Sequence, residues 1–565
     1  MNTAPGPEGS TARLTPRDLL LLLGAALVLF LAGFATLPPV DRDEARYATA
    51  TTQMLASGDF IDIRFQDVPR HLQPAGVYWL QAVSTAVFSE PDQRAIWTYR
   101  LPSLLAALAA VGLTGWMTSL WFGRAAGLLA GLLLAACMGL GFEARIAKTD
   151  AALLAATTAA QFAFLWVYSG RAKSRWPVAA FWIALGVGSL LKGPIILMVA
   201  GLTALALAVW DRSLQRLKPL QPLWGLPLAL VIAAPWYVAI GLVTDGDFFR
   251  VAVGANLLHK VGVDQQSHGG PIGYHLMAFA LTFWPGSLLA LFAIPYAWRQ
   301  RARPEIRFLI AWILPTWLVF ELVSTKLPHY VLPLFPAIAA LTAAAVTGAR
   351  PAPPVWAKLV FGLFLLLWLA VSIVLALAAP GAIWRYEGRF DPVAIAFALL
   401  AAGAVGVMLW RLLKGRADQA VLAGVVASFA VSANTFGLAL PGLTQLWLSP
   451  QIAQAARVAV PACAGRPEII TSPYHEPSLV FLNGPFRTLL ARDAEAAAAA
   501  MAAPGACQVA VVGAAGQGAF LARAAALGIE LEPVGRIAGQ NYSDGEDYNL
   551  ILYRRAEAVA PASQP

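Results

Sequence analysis

The stretch LLLLLGAALVLFLAGFATLPPV, residues 19–40, decides the class of fold. It carries no charge and meets the roughly 20 apolar residues that a bilayer crossing needs. Its apolar core is too long for a signal peptide and ends in Pro38-Pro39 instead of a small-residue cleavage site, so it reads as a retained helix. Arg13 and Arg17 precede it, which predicts a cytoplasmic N-terminus.

The rest of the 565 residues follows the same pattern. Mean hydropathy is +0.65, with 59% hydrophobic and 13% charged residues, whereas a soluble chain carries about a quarter charged. This composition predicts an α-helical polytopic membrane protein and excludes disordered, collagenous and disulfide-scaffold classes, for which three cysteines are also too few. Further apolar stretches fall at about 101–119, 125–142, 150–169, 178–192, 194–210, 221–243, 272–295, 307–324, 328–347, 355–379, 392–411 and 419–446, giving thirteen predicted spans. Alternate short connections carry Arg124; Arg171, Lys173 and Arg175; Arg212, Arg216 and Lys218; Arg299, Arg301, Arg303 and Arg307; Arg350; and Arg411, Lys414 and Arg416. The formal charge of +9 is therefore mostly membrane topology, not a nucleic-acid footprint.

The pattern divides the chain into a transmembrane domain, 1–446, with an outer loop at 38–100 bearing surface helices, and a small outer α/β domain, 447–565. In the latter, strand-like EIITSP and QVAVVGAA alternate with helical ARDAEAAAAAMAA. Cys463 and Cys507 both fall there, and from sequence a disulfide and two free thiols both stay open. GAAGQGAF, from Gly513, has its glycines in the wrong order for a dinucleotide turn.

The outer face holds the chemistry. Its first loop opens DRDEARYATATTQMLASGDF, residues 41–60, in which Asp41 and Glu44 suit a helix start. Ala45, Ala48, Thr51 or Thr52, and Leu55 recur at helical spacing up to Gly58, which predicts an amphipathic helix on the membrane surface. Asp43 and Glu44 admit two readings, first-turn acids favoured by the helix dipole or carboxylates for acid/base work. EARIAKTD places Arg145, Lys148 and Asp150 at the mouth of a later helix, and SLLKGP adds Lys192. The next outer loops add Arg250, His259, Lys260 and His268, then Lys326, His329 and Tyr330 in STKLPHY. RFQDVPRHLQPAGVYWLQ contributes Arg70, His71, Gln73, Tyr78 and Trp79 where the chain re-enters the bilayer. Each cation alone suits a side chain snorkelling toward headgroups. Several of them on the face where the orientation rule disfavours them, beside two separate aspartates, suit a phosphate-bearing ligand with carboxylates at hand.

Five motifs in order, DEARYA, QPAGVYWLQ, KTDAALL, LLKGP and TKLPHYVLPLFPAIAAL, resemble the bacterial membrane glycosyltransferases of the 4-amino-4-deoxy-L-arabinose transferase group. That group lies within the polyprenyl-phosphate-sugar-dependent (GT-C) superfamily, which also includes protein O-mannosyltransferases. The resemblance covers about residues 15–345 by motif and the remainder by architecture. It implies inverting transfer of a sugar from an undecaprenyl-phosphate-type carrier to lipid A or another cell-envelope glycolipid, at the periplasmic face of the bacterial inner membrane. Asp43, Glu44 and Asp150 then match its catalytic acids. Arg46, Lys260, Lys326 and Tyr330 match its phosphate-binding residues, and Arg70, Lys148 and Lys192 are expected to join them. His71, Gln73, Tyr78, Trp79, His268 and His329 are expected to line the substrate.

One departure stands out. The resemblance implies a lysine, as in many members of the group, where this chain has Gln73, and the acidic neighbour that helps bind a metal in some of them is Leu72, so neither a metal nor any other cofactor is predicted. The same losses keep a uronic acid or neutral sugar donor, and a protein O-mannosyltransferase-like activity, as alternatives. A secondary transporter would show matching halves and charges near the bilayer midplane, and neither is visible. No HExxH, CxxC pair, P-loop or GxSxG occurs.

Overall fold

The computed structural model of the chain describes residues 12–252, 254, 269–348, 355–461, 463, 465–503 and 507–556. Seven of the described helices have the length and apolarity to cross a membrane: Ile96–Phe122, Asp150–Tyr168, Pro222–Val243, Pro328–Thr347, Lys358–Glu387, Pro392–Leu413 and Ala417–Gly442. Three shorter apolar helices, Arg124–Ala136, Trp176–Lys192 and Ile195–Asp211, lie among the other predicted spans. The described helices meet the predicted thirteen crossings in part. The first helix is Pro16–Leu31, short of a full crossing by itself. The stretch predicted at 272–295 is broken into Tyr274–Thr282, Ser287–Ala290 and Ala293–Gln300 around Pro285. Helix Pro304–Leu322 carries Glu305, Arg307 and Glu321.

Small residues let the inner helices approach closely. Gly115 and Gly127 meet where helices Ile96–Phe122 and Arg124–Ala136 pack, and a Cβ on Gly127 would stand 2.6 Å from the Gly115 carbonyl oxygen. Helix Pro222–Val243 instead exposes Leu223, Val231 and Leu242, and helix Lys358–Glu387 exposes Leu363, Leu366 and Val374, the outward apolar surface that lipid would cover. Arg145 does not reach headgroups. Its buried guanidinium donates to the carbonyls of Leu29, Ala32 and Gly141 and lies 4.6 Å from the Phe436 ring, satisfying the end of the first helix.

The C-terminal region forms a five-stranded sheet in the order Thr488–Leu490, Glu468–Ser472, Gln508–Gly513, Asp547–Arg555, Leu531–Gln540. The first two pairings are parallel and the last two antiparallel. Helices Leu448–Ala459, Pro477–Asn483, Ala494–Ala500 and Gln517–Ala526 accompany it. It sits on the first loop: Ser478 donates its N–H and its hydroxyl to the Asp41 carboxylate, each at 2.7 Å, and Gln66 donates to the Pro485 and Thr488 carbonyls. Burial and the neighbouring Glu476 push the Asp41 carboxyl up to about 7.

Cys463 and Cys507 are joined in a disulfide, so the pairing left open above is made. It spans a sequence separation of 44 residues. The double variant Cys463→Ser with Cys507→Ser should lose up to about 4 kcal/mol, the loop-closure value for a ring of that size, read as earlier proteolysis and a lower unfolding midpoint of this region.

Candidate active site

Helix Asp43–Ser57 begins with two acids in its first turn and stops at Gly58, which takes a positive φ of 73° and donates to the Met54 carbonyl. The sequence predicts it as a surface helix. The structure buries Tyr47, Ala48, Ala50, Thr51, Thr52 and Met54 instead, because helix Gly76–Phe88 packs on one side and helix Pro477–Asn483 on another.

The two acids part company. Glu44 is 1% exposed and fully engaged: Arg100 donates to both oxygens at 2.8 Å, as do the Val40 and Ala147 N–H groups, one to each oxygen. A carboxylate so held has no free lone pair facing a substrate, so Glu44 is corrected from a catalytic to a scaffold residue. Asp43 is the opposite, with its side chain 57% exposed and one loose partner, Lys148, at 3.8 Å.

Lys148 is the hub that brings the separate motifs together. Its ammonium lies 3.8 Å from Asp43, 3.9 Å from Asp150 and 4.0 Å from Glu143. Lys192 donates to Asp150 at 2.5 Å, and His329 stands 3.8 Å from both Asp150 and Glu143. Tyr330 packs edge-on to His329 and lines a cleft with Asp150, Lys192, His329 and Phe320. Burial pushes the Glu143 carboxyl up to about 7, against the pull of Lys148. Burial lowers the Lys148 ammonium, but Glu143, Asp150 and Asp43 outweigh it and hold the pKa above the ordinary lysine value. Glu143 Oε2 and Asp150 Oδ2 are buried without a hydrogen-bond partner, so this centre is short of donors.

The cations divide similarly. Arg46 lies half-buried one turn along from Asp43, and burial, then repulsion from Arg70, depresses its pKa. Arg70 stacks 4.8 Å from the Tyr47 ring and donates to the Tyr78 hydroxyl at 3.1 Å. Lys192 donates to Asp150 and the buried Lys326 donates to the Val323 carbonyl at 2.8 Å, one hydrogen bond from each ammonium. His71 sits between Asp62 at 3.1 Å and Asp247 at 3.5 Å, tying two loops. Trp79 donates to the Phe60 carbonyl, and Gln73 is half-buried. Lys260 and His268 lie outside the described residues.

A family model described as dolichyl-phosphate-mannose-protein mannosyltransferase matches residues 39–244. An undecaprenyl phosphate-alpha-4-amino-4-deoxy-L-arabinose arabinosyl transferase of Aeromonas salmonicida is 29% identical over 396 residues, covering 67% of this chain and 71% of that protein. A Yersinia pestis protein of the same description is 26% identical over 337 residues, covering 57% of this chain and 59% of its own. A crystal structure of ArnT from Cupriavidus metallidurans bound to undecaprenyl phosphate superposes with a TM-score of 0.74 at 20% identity, over 97% of this chain and 99% of that one. The chain is a membrane glycosyltransferase with the GT-C fold.

Two residues of this glycosyltransferase escape sequence reasoning. Arg100 sits inside a hydrophobic span, where a lone arginine is itself a signal for a buried partner. Glu143 opens the quoted EARIAKTD motif, but its spacing resembles a span end. Asp43→Asn is expected to leave the protein folded and cut turnover by about 100-fold or more. Glu44→Gln should instead lose folded protein, since breaking a buried ion pair costs roughly 3–5 kcal/mol. Thermal unfolding and turnover measured side by side distinguish the two, and equal stability of both variants would refute the assignment.

Proposed function

We propose that this glycosyltransferase moves an amino sugar from an undecaprenyl-phosphate-type carrier to lipid A or another envelope glycolipid at the periplasmic face of the bacterial inner membrane, with the N-terminus in the cytoplasm. The observation that carries it is the pairing of Asp43, Glu143 and Asp150 around one lysine, two of them with unmet acceptor oxygens, next to Arg46 and Arg70. Acids short of donors favour a ligand that brings an ammonium and hydroxyls, and they disfavour a uronate, which would add like charge. The names of the Aeromonas and Yersinia relatives point to the same donor class.

The chemistry needs no nucleotide, because the carrier phosphate is already a leaving group. The acceptor oxygen attacks the anomeric carbon from the face opposite the phosphate, the carbon–oxygen bond to the carrier breaks, and configuration inverts. Arg46 and Arg70 stabilise the negative charge that gathers on the departing phosphate. With a sugar hydroxyl as acceptor, Asp43 takes its proton, being the exposed carboxylate; Asp150, held by Lys192, serves to set the lysine and histidine around it. With a lipid A phosphate as acceptor no base is required, and Asp43 instead holds the sugar ammonium.

With Gln73 supplying no charge to the phosphate, we infer that Arg70 compensates and not His71, which lies between Asp62 and Asp247. Purified protein in lipid, given radiolabelled undecaprenyl-phosphate amino sugar and lipid A, should transfer label. Arg70→Ala should lower that rate by about tenfold or more, the worth of one charge-assisted contact, while Gln73→Lys is tolerated. Faster turnover of a uronic acid donor would overturn the amino-sugar reading, and a silent Arg70→Ala would overturn the compensation.

A further inference from the structure

Away from the catalytic cleft, two arginines from different parts of the chain meet with one weakly held carboxylate, Asp92, beside them. Arg94 follows the short turn Pro91–Gln93, between helices Gly76–Phe88 and Ile96–Phe122. Its side chain is 9% exposed, and its Nε and Nη1 are buried with no hydrogen-bond partner. The nearest carboxylate is Asp92, 3.6 Å from Nη2, whose own side chain is 98% exposed and so weakly held. From the C-terminal domain Arg466 arrives, donating through Nη2 to the Asp92 carbonyl and leaving Nη1 buried without a partner. Arg487 donates to the Arg466 carbonyl at 2.9 Å, so its exposed side chain stands at the rim. Gly484 lies against the group: a Cβ there would stand 3.4 Å from Arg94 Nη2, in ordinary contact.

Buried donors without acceptors and adjacent like charges both cost free energy, and a protein folds around them at less cost when a ligand supplies the acceptor. We propose that Arg94 and Arg466, with Arg487 at the rim, form a binding site for a phosphate-class anion, separate from the catalytic centre. The charge state agrees, since burial, then Arg94 and Arg457, pull Arg466 down to about 10, a strain that a bound anion relieves. The fork geometry of a guanidinium matches phosphate oxygens two at a time.

The surroundings favour a lipid as the source of that phosphate. Helix Gly76–Phe88, which ends six residues before Arg94, exposes Leu80, Val83, Val87 and Phe88, a helical stripe suited to the acyl boundary. Phe486, 70% exposed, stands next to Arg487. An apolar stripe leading into unpaired guanidinium groups has the layout of a site that reads a phospholipid or phosphorylated glycolipid headgroup at the membrane surface.

The test uses the full chain in dodecyl maltoside micelles, which carry no phosphate, titrated with inorganic phosphate and followed by thermal unfolding midpoint. Phosphate should raise the midpoint, and Arg94→Gln and Arg466→Gln should each weaken the apparent affinity about tenfold or more. Asp92→Asn, which removes the competing carboxylate, should tighten it. In nanodiscs containing phosphatidylglycerol, loss of the phosphate response means that a lipid headgroup already fills the site, and a retained response means a free anion; both uphold the site. An identical phosphate response in wild type and both glutamine variants, or none in any of them, overturns it. If the glutamine variants do not fold, an unchanged affinity in Asp92→Asn overturns it by itself.

Discussion

Everything at the reactive end hangs on one buried ion pair. Arg100 uses all five of its donors: two on Glu44 and the others on the carbonyls of Phe34, Leu37 and Pro38. Glu44 in turn accepts from Val40 and Ala147. One pair thus joins the end of the first helix, the start of the first outer loop, helix Ile96–Phe122 and the segment leading to Asp150. In an apolar surround a half-satisfied version of this network would be worse than none, and its completeness is what lets it act as a fixed frame. Asp43 sits one residue from Glu44, so its placement near Lys148 is inherited from that frame.

The second layer of organisation is a division of labour among like groups. Of the acids, Glu44 is consumed by structure, Asp150 is held by Lys192, Glu143 is buried with one oxygen unpartnered and Asp43 stays open. Of the cations, Arg145 serves the protein itself, Lys192 is paired with Asp150, and Arg46 and Arg70 stand in the field of Asp43. The C-terminal domain belongs to the same economy, because Ser478 holds Asp41, two residues before Asp43.

Much of this was legible beforehand. The helix starting at Asp43 and stopping at Gly58 follows from an acid-rich first turn and a glycine stop. The α/β character of the tail follows from alternating apolar runs and alanine-rich stretches, and the convergence of Asp43, Lys148 and Asp150 follows from charges recurring where topology disfavours them. Local sequence does not decide where one pattern has two tertiary outcomes. Helix Asp43–Ser57 looks amphipathic whether it meets lipid or another helix, and Asp43 and Glu44 look alike until a partner selects one of them.

The sequence by itself determined what depends on composition and local spacing: a membrane-embedded bundle, its alternating loop charges, the helix caps and the set of titratable residues gathered at one end. Only the tertiary structure decided which of those residues are spent and which are free, because that depends on partners far along the chain. Arg100 reaches Glu44 across 56 positions, Lys192 reaches Asp150 across 42, and Cys463 finds Cys507 across 44. Pairings at that separation are set by the packing of whole helices and strands, and no local pattern encodes them.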